Sequence, residues 1–172
     1  ILIKNAEALE MAHKIRTIIF DKTGTLTEGK PKVTDYAIAE GFDEKIIFPF
    51  IATLEKSSEH PLAQAVTDFF REKGVFFGKV EHFLSVEGKG VKGEMDGKKV
   101  VVGRPSFLSE EGVMRCAELD KKAVLFQDDG KTAIHAGVDG KAVAVFALAD
   151  TLKPGAKEVI EELKREGITS IM

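Results

Sequence analysis

The chain has 172 residues, of which 44% are apolar, 25 are lysine or arginine and 28 are aspartate or glutamate. This length and apolar content suit one globular domain or two small ones. The formal net charge of -3 is spread along the chain, so we expect neither a nucleic-acid partner nor a membrane-surface helix. The single cysteine, Cys116, excludes an intrachain disulfide and a thiolate metal cluster, and favours a reducing, cytosolic setting.

The first residues carry apolar side chains at helical spacing. Ala8, Met11, Ala12 and Ile15 predict one apolar face of a short helix over residues 5–15. No stretch reaches the roughly 18 apolar residues of a membrane span, and no secretory signal is recognisable. The chain begins at Ile1 without an initiating methionine, and we expect it to be a piece of a longer protein.

A continuous apolar run, Thr17–Phe20, predicts a buried strand of a parallel sheet covered on both faces. Asp21 follows at the carboxyl end of this strand, where open α/β sheets bind ligands. An aspartate there can attack phosphorus and carry the phosphoryl group as an aspartyl phosphate. Gly24 lets the backbone approach a phosphate, and hydroxyl and N–H groups nearby can spread its charge. A single aspartate at a strand end is more often a turn residue, but the seven residues Asp21–Thr27 need one explanation.

After Thr27 the pattern changes, because Gly29 and Pro31 interrupt it and a long inserted section follows. Asp43 predicts the cap of a helix that runs to about Ser57, with a kink at Pro49. A second helix is expected from Pro61 to Gly74. The predicted inward side chains of the two helices are Ile46, Ile47, Phe50, Ile51 and Leu54, then Leu62, Ala65, Val66, Phe69 and Phe70.

The section from Val80 to Leu148 is rich in short runs of β-forming residues. Its three Asp-Gly pairs, at residues 96–97, 129–130 and 139–140, each predict a hairpin. About six strands are therefore expected in one antiparallel sheet, interrupted by a helix near Ser109–Leu119. The two earlier helices are expected to cover one face of this sheet.

The last section has the pattern of a strand, a helix and a strand. Val145–Ala149 predicts a returning strand, and Pro154 to Gly167 a helix with Ala156, Val159, Ile160 and Leu163 on its apolar face. Thr169–Met172 predicts another strand, which implies a right-handed parallel crossover.

Two signatures carry a family resemblance. Asp21–Thr27, Asp-Lys-Thr-Gly-Thr-Leu-Thr, resembles the phosphorylation signature of P-type ATPases, membrane pumps of the haloacid-dehalogenase superfamily. Ser58–Ala63, Ser-Glu-His-Pro-Leu-Ala, resembles the nucleotide-domain signature of the heavy-metal-transporting class of these pumps. For His60 alone, capping or packing against the second helix is the more common role. Two signatures in the family's order favour the resemblance.

Three further stretches resemble the same class. Val86–Gly93 is similar to its glycine-containing nucleotide loop, although such loops are also common in hairpins and bulges. Gly103 is followed by Arg104 where the family usually has asparagine, and an arginine can instead meet phosphate. Ala149–Pro154 resembles the family's return into its phosphorylation domain, with Lys153 where arginine is more usual.

The resemblance implies an α/β plus α+β fold. Residues 1–29 and 148–172 would form an incomplete Rossmann-type phosphorylation domain like that of haloacid dehalogenases. Residues 30–147 would form an inserted nucleotide-binding domain of about six antiparallel strands flanked by helices.

The resemblance also implies a function. The chain would be the cytosolic portion of an integral membrane pump that exports a heavy-metal cation, and the γ-phosphate of ATP would be transferred to Asp21, the catalytic nucleophile. The Asp21 carboxylate and the Thr23 backbone carbonyl would bind Mg²⁺. The residues expected to bind the nucleotide, ATP or ADP, are Glu59, His60, Gly88, Gly90 and Gly103.

The implied partners are the actuator and transmembrane domains of the same pump and a metal ion bound outside this chain. Copper is slightly favoured as that ion, with zinc, cadmium and lead as alternatives. The chain alone is expected to bind nucleotide without sustaining ATP turnover, because the family places further magnesium-binding residues after the segment that ends at Met172.

Two other functions remain open. A soluble phosphatase of the same superfamily would use the inserted section as a cap, but such enzymes generally have a second aspartate two residues after the nucleophile as general acid and base. Thr23 stands at that position and cannot readily do this chemistry. A non-catalytic nucleotide-binding module is the other alternative, and phosphate labelling at Asp21 distinguishes it from a pump.

Overall fold

The computed structural model describes residues 14–172. The chain divides into two compact units: residues 1–30 with 150–172, and residues 31–149. The helix predicted over residues 5–15 lies outside the described residues except for its last two positions.

The first unit contains a parallel pair of strands and one helix. Strand β1 (Thr17–Ile19) pairs in parallel with β8 (Thr169–Ile171), and helix α5 (Ala156–Arg165) precedes β8 along the chain. The predicted helix and strands are confirmed, but Val145–Ala149 was wrongly expected to be the parallel partner of the last strand. The expected burial of the first strand is also wrong, because Ile19 is 77% exposed. Among the described residues β1 has β8 as its only strand neighbour, and no residue of α5 is buried.

A six-stranded antiparallel sheet forms the centre of the second unit, as predicted. Its strands are β2 (Thr27–Ile38), β3 (Glu81–Val86), β4 (Gly90–Met95), β5 (Lys98–Gly103), β6 (Thr132–Val138) and β7 (Lys141–Leu152). They lie in the order β2-β7-β6-β5-β4-β3.

The sixth strand is β2, which the sequence analysis missed. It continues through Gly29 and Pro31, the two residues expected to interrupt the pattern. Proline is tolerated here because β2 lies at an edge of the sheet, where an N–H group is not needed for a second neighbour. The predicted returning strand at Val145–Ala149 is part of β7, which pairs antiparallel with β6.

Two of the three predicted Asp-Gly hairpins are present. Asp96-Gly97 joins β4 to β5 and Asp139-Gly140 joins β6 to β7, with φ values of 52° and 72° in the first pair and 51° and 74° in the second. Positive φ at both central residues is the requirement of a type I′ turn. The third prediction is wrong, because Gly130 ends a helix: its N–H donates to the carbonyl of Gln127, and the N–H of Lys131 donates to that of Phe126.

Helices α1 (Glu44–Lys56) and α2 (Pro61–Glu72) confirm the two predicted helices. The Asp43 carboxylate caps α1 by accepting from the N–H of Lys45 at 2.9 Å, and α1 continues as one helix through Pro49. One predicted inward residue is wrong: Ile46 is 60% exposed, whereas Phe48 is buried.

The single helix expected near Ser109–Leu119 is wrong. The structure has two helices instead, α3 (Pro105–Glu110) and α4 (Ala117–Asp128). Gly112 has φ of +80° and ends α3, and the N–H of Val113 donates to the carbonyl of Leu108. This hydrogen bond closes α3 inside the predicted span.

Two hydrophobic clusters cover the two faces of the sheet. Val100 and Val102 of β5 belong to the cluster that contains α1 and α2 residues, and the intervening Val101 belongs to the cluster that contains α3 and α4 residues. Successive strand side chains point to opposite faces, so this division places one helix pair on each face. The first cluster includes a group of aromatic rings with centroids 5.0 to 6.3 Å apart, namely Tyr36, Phe48, Phe69, Phe70 and Phe146.

Candidate functional site

Asp21 lies at the carboxyl end of β1 and is exposed. The following turn, Lys22–Leu26, is not a regular helix, because Thr23 has φ of -77° and ψ of 121° and Gly24 has φ of 77°. Positive φ at Gly24 suits glycine. The Asp21 side chain makes no capping hydrogen bond to this turn. Its carboxylate therefore does not have the local role that a turn aspartate usually has.

Thr27 closes the turn in place of Asp21. Its buried hydroxyl accepts from the N–H of Gly24 at 3.2 Å and lies 3.0 Å from the carbonyl of Lys22. The same hydroxyl contacts the carboxylate of Asp150, which also accepts from the N–H groups of Gly29 at 3.2 Å and Lys30 at 3.1 Å. A hydroxyl has one proton, so Thr27 donates to either Lys22 or Asp150 at a time.

Lys153, the residue directly after β7, also holds the turn. Its ammonium donates to the carbonyl of Gly24, and its N–H donates to the carbonyl of Leu26 at 2.9 Å. This arrangement places a cation on the turn that follows Asp21. Lysine supplies the positive charge at this position without the planar fork of an arginine.

The Asp21 carboxylate and the Thr23 carbonyl provide oxygen donors of the kind that Mg²⁺ prefers. Within residues 14–172, no three histidine, cysteine, aspartate or glutamate side chains form a metal-binding group. In donor type, the two oxygens of Asp21 and Thr23 match those that magnesium sites use.

His60 has a defined structural role at the start of α2. Its Nδ1 accepts from the N–H of Leu62 at 3.1 Å, and its own N–H donates to the hydroxyl of Ser58 at 3.3 Å. This is the helix-capping role that the sequence analysis gave as the alternative. Because Nδ1 accepts, the neutral ring carries its proton on Nε2, which remains available as a donor. Glu59 precedes it and is exposed.

Gly90 and Gly103 are cross-strand partners on β4 and β5. A Cβ on Gly90 would lie 2.2 Å from the carbonyl oxygen of Val102 and 2.7 Å from the Cα of Gly103. A Cβ on Gly103 would lie 2.4 Å from the carbonyl oxygen of Lys89. The close approach of the two strands explains glycine at both positions, whatever binds nearby.

Gly88 differs from these two glycines. It lies in the exposed turn between β3 and β4 with φ of +68°, and a Cβ there would have nothing within 4 Å. The space beside Gly88 is therefore open to a ligand.

The structure divides the predicted site residues between its two units. Asp21 and Thr23 lie in the first unit, whereas the predicted nucleotide-binding residues lie in the second. Gly90 and Gly103 are in direct contact. No hydrogen bond or ion pair among the described residues joins Glu59 or His60 to the turn that contains Gly88.

Glu55, in the last turn of α1, was missed by the sequence analysis. It is 5% exposed, and burial raises the pKa of its carboxyl from the ordinary 4.5 to about 7. Its side chain has no hydrogen-bond partner among the described residues. Spacing could have identified it, because Glu55 follows the buried residues Phe48 and Ile51 by seven and four positions, on the same helix face.

A surface cavity of about 240 Å³ lies elsewhere in the second unit. Its lining includes Phe42 and Phe50 with Lys98 and Lys141. None of the predicted site residues lines this cavity. Its walls are not those of the predicted nucleotide site.

Residues 15–172 match the family model of haloacid dehalogenase-like hydrolases. The chain belongs to this family. The match covers all but the first fourteen residues and confirms the superfamily that the Asp21 motif indicated.

Several curated relatives of this haloacid dehalogenase-like chain are P-type ATPases. It is 42% identical to a copper-exporting P-type ATPase of Legionella pneumophila, over 100% of this chain and 23% of the relative. It is 40% identical to a probable copper-exporting P-type ATPase of Archaeoglobus fulgidus, over 98% of this chain and 20% of the relative. The chain thus spans about a fifth to a quarter of the length of these relatives.

Solved structures that resemble this chain are also ATPases. A zinc-transporting PIB-type ATPase in its E2.Pi state superposes with a TM-score of 0.78 at 27% identity, over 91% of this chain and 25% of that one. The catalytic domain of the CPx-ATPase CopB-B superposes with a TM-score of 0.69 at 29% identity, over 98% of this chain and 57% of that one.

In this haloacid dehalogenase-like chain, Gly90→Ala should be far more destabilising than Gly88→Ala. The first substitution pushes a methyl group into the backbone of β5 and should cost about 3 kcal/mol of unfolding free energy. The second meets open space and should cost about 1 kcal/mol, the strain of a side chain at positive φ. Urea denaturation of both variants measures the difference. Equal losses would contradict the close strand contact.

Glu55→Gln should stabilise the chain increasingly as the pH rises. Burial raises the pKa of Glu55 to about 7, so the folded state binds a proton that the unfolded state releases between pH 4.5 and 7. Wild-type stability therefore falls through this interval and levels off above it, by about 3 kcal/mol at most. Glutamine avoids the loss.

Thermal unfolding of wild type and Glu55→Gln at pH 5 and pH 8 measures this effect. Glu72→Gln, at an exposed glutamate on α2, is the matched control and should show no such pH-dependent gain. A stability difference between wild type and Glu55→Gln that is independent of pH would contradict the burial of an unpaired carboxyl.

Proposed function

We propose that the chain is the nucleotide-binding and part of the phosphorylating region of a heavy-metal-exporting P-type ATPase. The observation that carries this proposal is the exposed Asp21 carboxylate. Thr27, and not Asp21, closes the following turn, so the Asp21 side chain makes no capping hydrogen bond there. The names of the curated relatives support a pump over a soluble phosphatase. Thr23, two residues after Asp21, also disfavours the phosphatase, since it offers no carboxylate to act as general base.

In this proposal, an oxygen of Asp21 forms a bond to the γ-phosphorus of ATP. The bond from that phosphorus to the oxygen bridging the β- and γ-phosphates breaks, and the electron pair leaves with ADP. The Asp21 carboxylate and Thr23 carbonyl would hold Mg²⁺, which neutralises phosphate charge when bound. Lys153 holds the Gly24 carbonyl and adds positive charge to the turn.

Residues 31–149 would bind the nucleotide, and the described parts of the first unit would belong to the phosphorylation domain. His60 offers an Nε2 donor at the start of α2, beside the exposed Glu59. The open space at Gly88 can admit a ligand close to the backbone. Glu55 adds a buried carboxyl without a partner among the described residues, a group suited to hydrogen bonding a nucleotide base.

The transported ion is a substrate bound elsewhere in the full pump. Copper is the favoured cargo because curated relatives are named as copper exporters, while a silver exporter and a zinc-transporting structure also occur among the matches. No helix among the described residues is long and apolar enough to span a membrane. We propose that this chain is the cytosolic portion and works with the actuator and transmembrane domains of the same pump.

Asp21→Asn in the full-length pump should abolish acid-stable labelling by γ-³²P-ATP, because the amide cannot form the acyl phosphate. Nucleotide binding should persist, since Asp21 lies outside residues 31–149. The 172-residue chain alone should bind ATP and show no lasting label. Labelling of the full-length variant at the wild-type level would overturn Asp21 as nucleophile, and an unlabelled wild-type pump would favour a non-catalytic nucleotide-binding module.

Two substitutions separate the capping role of His60 from nucleotide binding. His60→Asn keeps a capping side chain but removes the distal ring nitrogen, so ATP affinity should fall by up to about tenfold while the melting temperature is retained. His60→Ala removes both and should also cost about 1 kcal/mol of stability. Calorimetric titration with ATP and thermal unfolding measure the two effects. Wild-type ATP affinity in His60→Asn would leave His60 as a helix cap only.

A further inference from the structure

Two cations lie beside the turn of residues 87–89 between β3 and β4, here called the glycine turn, and they differ in their partners. Lys89 belongs to this turn, and Arg104 follows β5, whose last residue pairs with the first residue of β4. The Lys89 ammonium lies 2.6 Å from the Glu110 carboxylate, so its charge is balanced. Arg104 is exposed, and its guanidinium has no hydrogen bond or ion pair within the described part of the chain. Arg104 is therefore the cation that remains available at this turn.

The backbone fixes Arg104 beside the turn. The N–H of Arg104 donates to the carbonyl of Lys89 at 2.9 Å. The preceding residue, Gly103, is in direct contact with Gly90. The Arg104 side chain therefore extends from a backbone position beside the Gly88–Gly90 segment.

The charges of this region favour a role for Arg104 with an anion. Glu87 is an exposed carboxylate in the same turn, while Glu110 is paired with Lys89. The charges of four side chains cancel here, namely those of Glu87, Lys89, Arg104 and Glu110. Without Arg104, the other three would carry one net negative charge. A turn with that negative charge would repel a polyphosphate.

We propose that Arg104 contacts the phosphate chain of a nucleotide bound at the glycine turn and makes affinity rise with the number of phosphates. This inference rests on the proposed nucleotide site. A guanidinium carries a full positive charge and can donate two parallel hydrogen bonds to phosphate oxygens. This chain therefore discriminates ATP from AMP by charge at position 104.

Calorimetric titration of the 172-residue chain with ATP and with AMP, at one magnesium concentration and one ionic strength, tests the inference. Arg104→Asn should weaken ATP binding about fivefold and change AMP binding less than about twofold, because AMP lacks the distal phosphates. Arg104→Lys keeps the charge without the fork and should lie between. Lys122→Asn, the same loss of charge at an exposed position on α4, should leave both affinities unchanged.

The result separates this inference from the proposed function. If Arg104→Asn binds ATP like wild type while His60→Asn binds it more weakly, the nucleotide site stands and the role of Arg104 is overturned. Equal losses for ATP and AMP in Arg104→Asn also overturn it, because they place the residue away from the distal phosphates. A wild-type chain that binds neither nucleotide overturns both proposals. Thermal unfolding of each variant verifies that the fold is retained.

Discussion

Strand β7 is buried on both faces, and the second unit is built around that burial. Every residue from Ala142 to Leu148 is at most 8% exposed. Because successive side chains point to opposite faces, Phe146 packs with the helices of one face and Val145 with those of the other. Both faces of the sheet are therefore occupied by packing at β7. Ligands can approach the ends of elements, where His60 and the Gly88 turn lie.

The turn after Asp21 is closed by contacts that leave the nucleophile candidate free. Thr27 and Asp150 are separated by 123 positions along the chain and meet through one buried hydroxyl. Lys153 adds a second contact from the same returning segment. Together they hold the backbone of the turn while the Asp21 carboxylate remains exposed. A positioned but unengaged carboxylate is what an in-line attack on phosphorus requires.

The glycines of the candidate nucleotide site have different explanations. Gly90 and Gly103 are required by the close approach of two strands, so their presence alone is not evidence of a ligand. Gly88 has open space beside it. His60 similarly combines a capping nitrogen with a free one. Among the described residues, Nε2 of His60 and the guanidinium of Arg104 have no hydrogen-bond partner, and these two groups are therefore the more informative features.

Sequence alone determined the features that depend on a few neighbouring residues. Asp43 and Pro61 mark helix starts, and the Asp-Gly pairs at 96–97 and 139–140 mark type I′ turns, because caps and turns are governed by local backbone energetics. The Asp21–Thr27 and Ser58–Ala63 motifs, which are also short runs of neighbouring residues, indicated the family. A local signal can still mislead, since Asp129-Gly130 satisfies the end of a helix as well as it would a hairpin.

Tertiary structure decided what depends on distant partners. Strand β2 was missed because its pairing with β7 joins segments more than a hundred positions apart, and Pro31 is acceptable only at the sheet edge. The partner of β8, the contact between Thr27 and Asp150 and the burial of Glu55 were likewise decided by the assembled fold. Such contacts gain their free energy from surfaces that come together only on folding, so no window of neighbouring residues contains the information that specifies them.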